Sequence, residues 1–99
     1  MTPLPGKLIT KVINDVRLEL LRSCEIFGWQ PELSPAQRLA VINEEVGEVA
    51  RELNDAHNEG RPVDVKKLKA ELVQAAAMCV KMAVVAQREG ATKGKGEDR

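Results

Sequence analysis

Ninety-nine residues make one domain, and a composition of 43% hydrophobic and 30% charged residues excludes a disordered chain. Fifteen lysines and arginines balance fifteen aspartates and glutamates, which leaves no excess charge for non-specific nucleic-acid binding. The two cysteines, Cys24 and Cys79, sit in apolar helical pattern without metal spacing, so buried free thiols in a reducing, cytoplasmic setting are expected.

In chain order, MTPLPG (1–6) reads as an extended lead-in, and no apolar signal-peptide region follows it. Over residues 7–27, Ile9, Val12, Ile13, Val16, Leu20, Cys24 and Phe27 recur at helical spacing, and Gly28 is a stop signal. WQPEL is a loop. Ser34, Pro35 and Gln37 then supply an N-cap, a first-turn proline and a capping box, which predicts a second helix to about His57 with Gly60 just beyond. Arg61-Pro62 turns the chain. Asp64 caps a third helix to about Glu89, Gly90 ends it, and the polar tail 90–99 is expected to be disordered.

Three helices of more than 20 residues each are roughly 30 Å long or more and fold as an up-down-up layer. The stretch LVQAAAMCVKMAVVA (72–86) is apolar nearly all round. It holds Gln74 and Lys81 and is short of the roughly 20 residues of a membrane span. One layer cannot cover it. The predicted fold is all-α, a single domain over 1–99, with three long helices whose bundle is completed by homo-oligomerisation.

The second helix contains VINEEVGEVARELND (41–55), in which Glu44, Glu45, Glu48, Glu52 and Asp55 are answered only by Arg51. Like charges three and four apart weaken a helix by roughly 0.2–0.5 kcal/mol per pair. A helical wheel places Leu39, Ile42, Val46, Val49, Ala50 and Leu53 on a core stripe, with Glu45 and Glu48 on its flank. On the third helix Glu71 and Gln74 are three apart. If the two helices are antiparallel neighbours, the two pairs face each other. Like charges 4 Å apart repel by about 4 kcal/mol at an effective dielectric of 20, so inward acids need protons or a cation. An all-oxygen set suits Mg²⁺, Mn²⁺ or Ca²⁺. The plain alternative is a solvated charged face; Glu71, beside an apolar run, weighs against it.

Other residues have two readings each. Lys81, two turns beyond Gln74, could reach a phosphate oxygen or extend to solvent. Trp29 could stack on a base or plug the loop against the core. Arg38 could also meet phosphate. No GxxxxGK[ST] loop is present, which excludes a P-loop enzyme.

NEEVGEVARELN followed by LKAELVQAA resembles the all-α MazG-like nucleotide pyrophosphohydrolases, whose mark is EExxE on one helix and ExxD on the next. Glu44-Glu45-Val46-Gly47-Glu48 matches the first half. Glu71-Leu72-Val73-Gln74 matches the second except at its last position. The resemblance covers roughly residues 33–86. It implies a dimer or tetramer that binds Mg²⁺, or Mn²⁺, and hydrolyses a nucleoside triphosphate between the α and β phosphates, removing non-standard or surplus nucleotides. Carried onto this chain, it implies Glu45, Glu48, Glu71 and Gln74 as metal ligands and Glu44 and Glu45 as catalytic groups, with Glu44 either a second metal contact or the base. Lys81, Trp29 and Arg38 are the expected substrate-binding residues; no nucleic acid or membrane partner is expected. Gln74 stands where the family has aspartate. An amide oxygen carries no charge and holds a metal less tightly, so the alternative is a nucleotide- or metal-binding module of the same fold without turnover.

Overall fold

The computed structural model describes the backbone of residues 5–96 and the side chains of residues 5–90. It contains three helices, α1 (Gly6–Phe27), α2 (Pro35–Glu59) and α3 (Val65–Gly96), and no strand among the described residues. The all-α class and the three-helix count expected from periodicity are therefore found.

Each boundary has a local cause. The Pro5 carbonyl accepts from the Leu8 and Ile9 amides, so α1 starts at Gly6, inside the expected lead-in. Residues 1–4 of that lead-in lie outside the described residues. At the other end Gly28 takes φ 70 and its N–H reaches the Cys24 carbonyl at 2.8 Å. The α2 capping box is complete: Ser34 Oγ accepts from the Gln37 amide at 3.1 Å, and Gln37 Oε1 accepts from the Ser34 amide at 2.8 Å. Gly60, left-handed at φ 64, closes α2, and the Arg61 amide reaches back to the Ala56 carbonyl. Asp64 Oδ1 accepts from the Lys67 amide and opens α3.

One boundary is corrected. Helix α3 does not stop at Gly90 but runs to Gly96, through most of the tail expected to be disordered. Gly90 does not adopt the positive φ of Gly28 and Gly60. A glycine inside a helix costs only about 1 kcal/mol against alanine, and no proline follows to force an end. Residues 97–99 lie outside the described residues.

Helix α3 is the middle of the layer, packed on both α1 and α2, while α1 and α2 do not pack on each other. Asp15 meets Lys69, and Ser23 meets Lys81, so α1 and α3 run parallel. Glu52 meets Lys67 near the α2–α3 turn, so α2 runs antiparallel to α3. The α1–α2 loop, residues 28–34, must then cross α3, and it does so at the level of Lys81.

The buried set is small and mixed: Ala56, Ala75, Ala77 and Val85 with Ser23, Arg38, Glu52, Glu71 and Lys81. This corrects the predicted core stripe. Leu39, Val46 and Leu53 are 50%, 51% and 43% exposed, while Arg38, Glu52 and Ala56 are buried. The wheel identified the apolar face but assumed that the inside of the chain must cover it. Here α3 meets the neighbouring polar face through small alanines; Leu39, Val46, Ala50 and Leu53 of the stripe turn outward, while Ile42 and Val49 are half-buried. Cys24 is half-buried and Cys79 is exposed, on the outer side of α3 rather than within the core. The chain exposes 7610 Å², about a third more than the roughly 5600 Å² of a compact 10.9 kDa monomer. Among the described residues, no helix is long and apolar enough to cross a membrane.

Candidate functional site

Antiparallel packing brings the acidic face of α2 against α3. The Glu45 carboxyl is held above its ordinary range, first by burial and then by the charges of Glu48, Glu44, Glu19 and Glu71. Its Oε2 is buried without a hydrogen-bond partner, and so is Oε1 of Glu71, which is 6% exposed. These are two orphaned carboxylate oxygens on facing helices. Leaving such a group unsatisfied costs about 1–3 kcal/mol or more.

Glu45 and Gln74 line one groove of about 270 Å³. Its wall from α1 carries Glu19, Arg22, Ser23 and Phe27; Gln30 comes from the crossing loop, Val41 from α2 and Met78 from α3. A neighbouring groove of about 360 Å³ shares Glu19, Arg22 and Gln74 and adds Asp15, Lys66 and Lys69. Glu48 and Glu44 act on Glu45 through their charge, with Glu48 half-buried and Glu44 exposed. Of the expected ligands, Glu45 and Glu71 have buried oxygens on facing helices, Gln74 lines both grooves, and Glu48 is half-buried one turn from Glu45. In the side-chain positions present, no group of three or more His, Cys, Asp or Glu among the described residues is gathered as a metal centre. The donor set still fits a hard divalent cation. It is all oxygen, it is acidic, and two of its buried oxygens have nothing else to bind.

Glu19 was not singled out by the sequence. It belongs to α1, which carries no motif, and only the parallel docking of α1 on α3 brings it to the acids. Arg22, one turn on, grips it with two bonds of 2.6 and 3.0 Å. This pair sets a guanidinium and a carboxylate side by side on the groove wall.

The crowded stretch of α2 also contains an acid with a different task. Glu52, 3% exposed, accepts from Arg61 Nη1 at 3.1 Å and from the Asp64 amide at 3.1 Å, and lies 3.6 Å from Lys67 Nζ. The Arg61 bond, then the Asp64 amide, pulls its carboxyl below the ordinary range. Glu52 braces the α2–α3 turn and is not available to a ligand.

The expected substrate-binding cations are both buried against the crossing loop. Lys81 Nζ donates to Gln30 Oε1 at 3.2 Å and lies 3.5 Å from Ser23 Oγ. Arg38 Nη2 donates to the carbonyls of Trp29 and Gln30, and its Nε has no partner. Both side chains line a chamber of about 20 Å³ with Gln30, Leu33, Val41 and Met78. Trp29 is half-buried, and its carbonyl is one of the loop's anchors. The aromatic side chain on the groove is Phe27, 61% exposed. Comparison of the chain with protein-family models, with curated proteins and with solved structures returns no match.

Proposed function

We propose that the chain is a divalent-metal-dependent nucleoside triphosphate pyrophosphohydrolase of the MazG-like kind, acting as a homo-oligomer in a reducing, cytoplasmic setting. The observation that carries the reading is the pair of buried, partnerless oxygens of Glu45 and Glu71 on facing helices, with Glu45 and Gln74 lining a groove open to a ligand. Glu45, Glu48, Glu71 and Gln74 would hold Mg²⁺, with Mn²⁺ a substitute. The ion supplies neutralisation of phosphate charge and a water of lowered pKa. Glu44, exposed one turn from Glu48, stands as a second metal contact or as the base. Arg22 adds a cation on the groove wall for phosphate oxygens. Lys81 and Arg38 serve the nucleotide through the loop they hold.

Oligomerisation is supported by the surplus surface and by the outward stripe of Leu39, Val46 and Leu53. A stable homodimer commonly buries 2000 Å² or more over both chains, about 1000 Å² from each, and the excess of each chain over a compact monomer is roughly twice that. Gln74 favours a second reading, in which the site binds metal and nucleotide without turnover.

The test is pyrophosphate release from a panel of standard and modified triphosphates with Mg²⁺, using Glu45→Ala as control. Release by the wild type and none by the variant supports hydrolysis. No release, with a melting temperature raised by Mg²⁺ and nucleotide, supports the binding module; a ligand at 100 times its Kd stabilises by about 2.7 kcal/mol. Neither release nor thermal shift refutes both readings.

A further inference from the structure

We propose that Gln30 selects the nucleobase, its side-chain NH₂ donating to a keto oxygen on the edge of the bound base. This rests on the nucleotide reading above and deepens it. Gln30 is the one non-glycine residue with positive φ, 54°, among the described residues. A side chain rarely adopts that conformation without surroundings that impose it. Two buried cations impose it here. Arg38 Nη2 donates to the Gln30 carbonyl, and Lys81 Nζ donates to the Gln30 amide oxygen. Neither cation has a carboxylate partner among the described residues. Burying a cation is costly unless its donors are met, and Arg38 Nη2 and Lys81 Nζ are both spent on fixing one loop and one amide.

Lysine donates and never accepts. The amide oxygen of Gln30 must therefore face Lys81, which turns its NH₂ the other way. That NH₂ has no hydrogen-bond partner among the described residues, and Gln30 lines the groove shared with Glu45 and Gln74. Phe27 and Met78 give the same groove apolar surface of the kind a base face needs. With the phosphates held at the acids, the orientation of this amide makes the selected edge an acceptor. Uracil, thymine and guanine present such a keto oxygen where cytosine and adenine present an amino group. Lys81 is on this account a positioning residue.

The experiment compares kcat/KM for dUTP, dTTP and dGTP with that for dCTP and dATP in the wild type, Gln30→Glu and Lys81→Met. Glutamate keeps an oxygen for Lys81 and replaces the donor with an acceptor. The wild type is expected to prefer the keto bases, and Gln30→Glu to lower the keto-to-amino ratio by about tenfold or more. Lys81→Met, which releases the amide, is expected to level the ratio without reversing it. Gln30→Met keeps the length without polarity and is expected to do the same. A ratio unchanged in Gln30→Glu and Gln30→Met, with activity retained or lost equally on every base, overturns the assignment and leaves the hydrolase reading standing. No activity of the wild type on any triphosphate removes the hydrolase reading and this assignment with it.

Discussion

Replacing Glu45 by glutamine is expected to stabilise the metal-free protein at neutral pH while abolishing its response to Mg²⁺. The carboxylate sits in the field of Glu48, Glu44, Glu19 and Glu71 and has an oxygen without a partner. Glutamine removes the like-charge cost with Glu48, roughly 0.2–0.5 kcal/mol, and replaces one oxygen by an NH₂ that can donate to the neighbouring acids, for a gain of about 1–2 kcal/mol. For a domain of this size that corresponds to a melting temperature roughly 4–16 °C higher. The sign follows from linkage. Folding raises the Glu45 carboxyl above its ordinary 4.5, so its contribution favours the folded state below that value and is lost as pH rises through the raised one. The gap between variant and wild type should open as pH rises through the raised value and close towards about pH 4, where both side chains are neutral. Thermal melts across that range, with and without Mg²⁺ at fixed protomer concentration, measure it. A metal-free Glu45→Gln that melts below the wild type at neutral pH, or one that still gains the wild-type increment from Mg²⁺, refutes the strained-acid account.

Gln74→Asp should raise Mg²⁺ affinity and pyrophosphate release. It should also lower metal-free stability by about 0.2–0.5 kcal/mol, because it adds a second charge three residues from Glu71; titration calorimetry and melts read the two halves. Glu52→Gln should flatten the acid limb of the stability profile. The Glu52 carboxyl is held low, so its contribution is present above the ordinary 4.5 and lost as pH falls through the lowered value. Melts against pH in the acid range are the measurement, and an unaltered profile contradicts the brace. Val46→Asp, on the outward stripe, should leave helicity intact and reduce the sedimenting mass; an unchanged mass places the interface elsewhere.

What the sequence disclosed and what it withheld divide along physical lines. Short-range chemistry was legible: Ser34 with Gln37, Gly28, Gly60 and Asp64 each mark a boundary that the backbone obeys, because caps and left-handed turns depend on a few adjacent residues. Gly90 misled, since a stop signal is a preference of about 1 kcal/mol and nothing after it opposed the helix. The antiparallel facing of α2 and α3, with Glu45 on one and Glu71 on the other, was legible through spacing and a short turn. The contribution of α1 was not. Glu19 and Arg22 reach the groove through a docking mode that depends on tertiary packing, and no periodicity distinguishes them from other surface charges. The same holds for Lys81 and Arg38. Their positions suggested phosphate contacts, yet the loop crossing α3 takes up their donors first.

The inward acids and the outward apolar residues are adjacent on one helix, which under the proposed function would tie ion binding to assembly. Leu39, Val46 and Leu53 each follow by one residue Arg38, Glu45 and Glu52, which is 100° of turn. A second chain covering the stripe would therefore approach the flank that carries Glu45 and Glu48. Excluding water there strengthens both the repulsion among the acids and the attraction of each for a cation. Without the ion, association should be opposed by the concentrated negative charge; with it, the same closure becomes favourable. Because the coupling is reciprocal, Mg²⁺ should lower the protomer concentration at which the assembly forms, and assembly should tighten Mg²⁺ binding by the same factor. Sedimentation over a dilution series, with Mg²⁺ and with a chelator, measures the first. Identical dissociation in both conditions would mean that the stripe is covered without closing over the acids, and the site would then be complete within a single protomer.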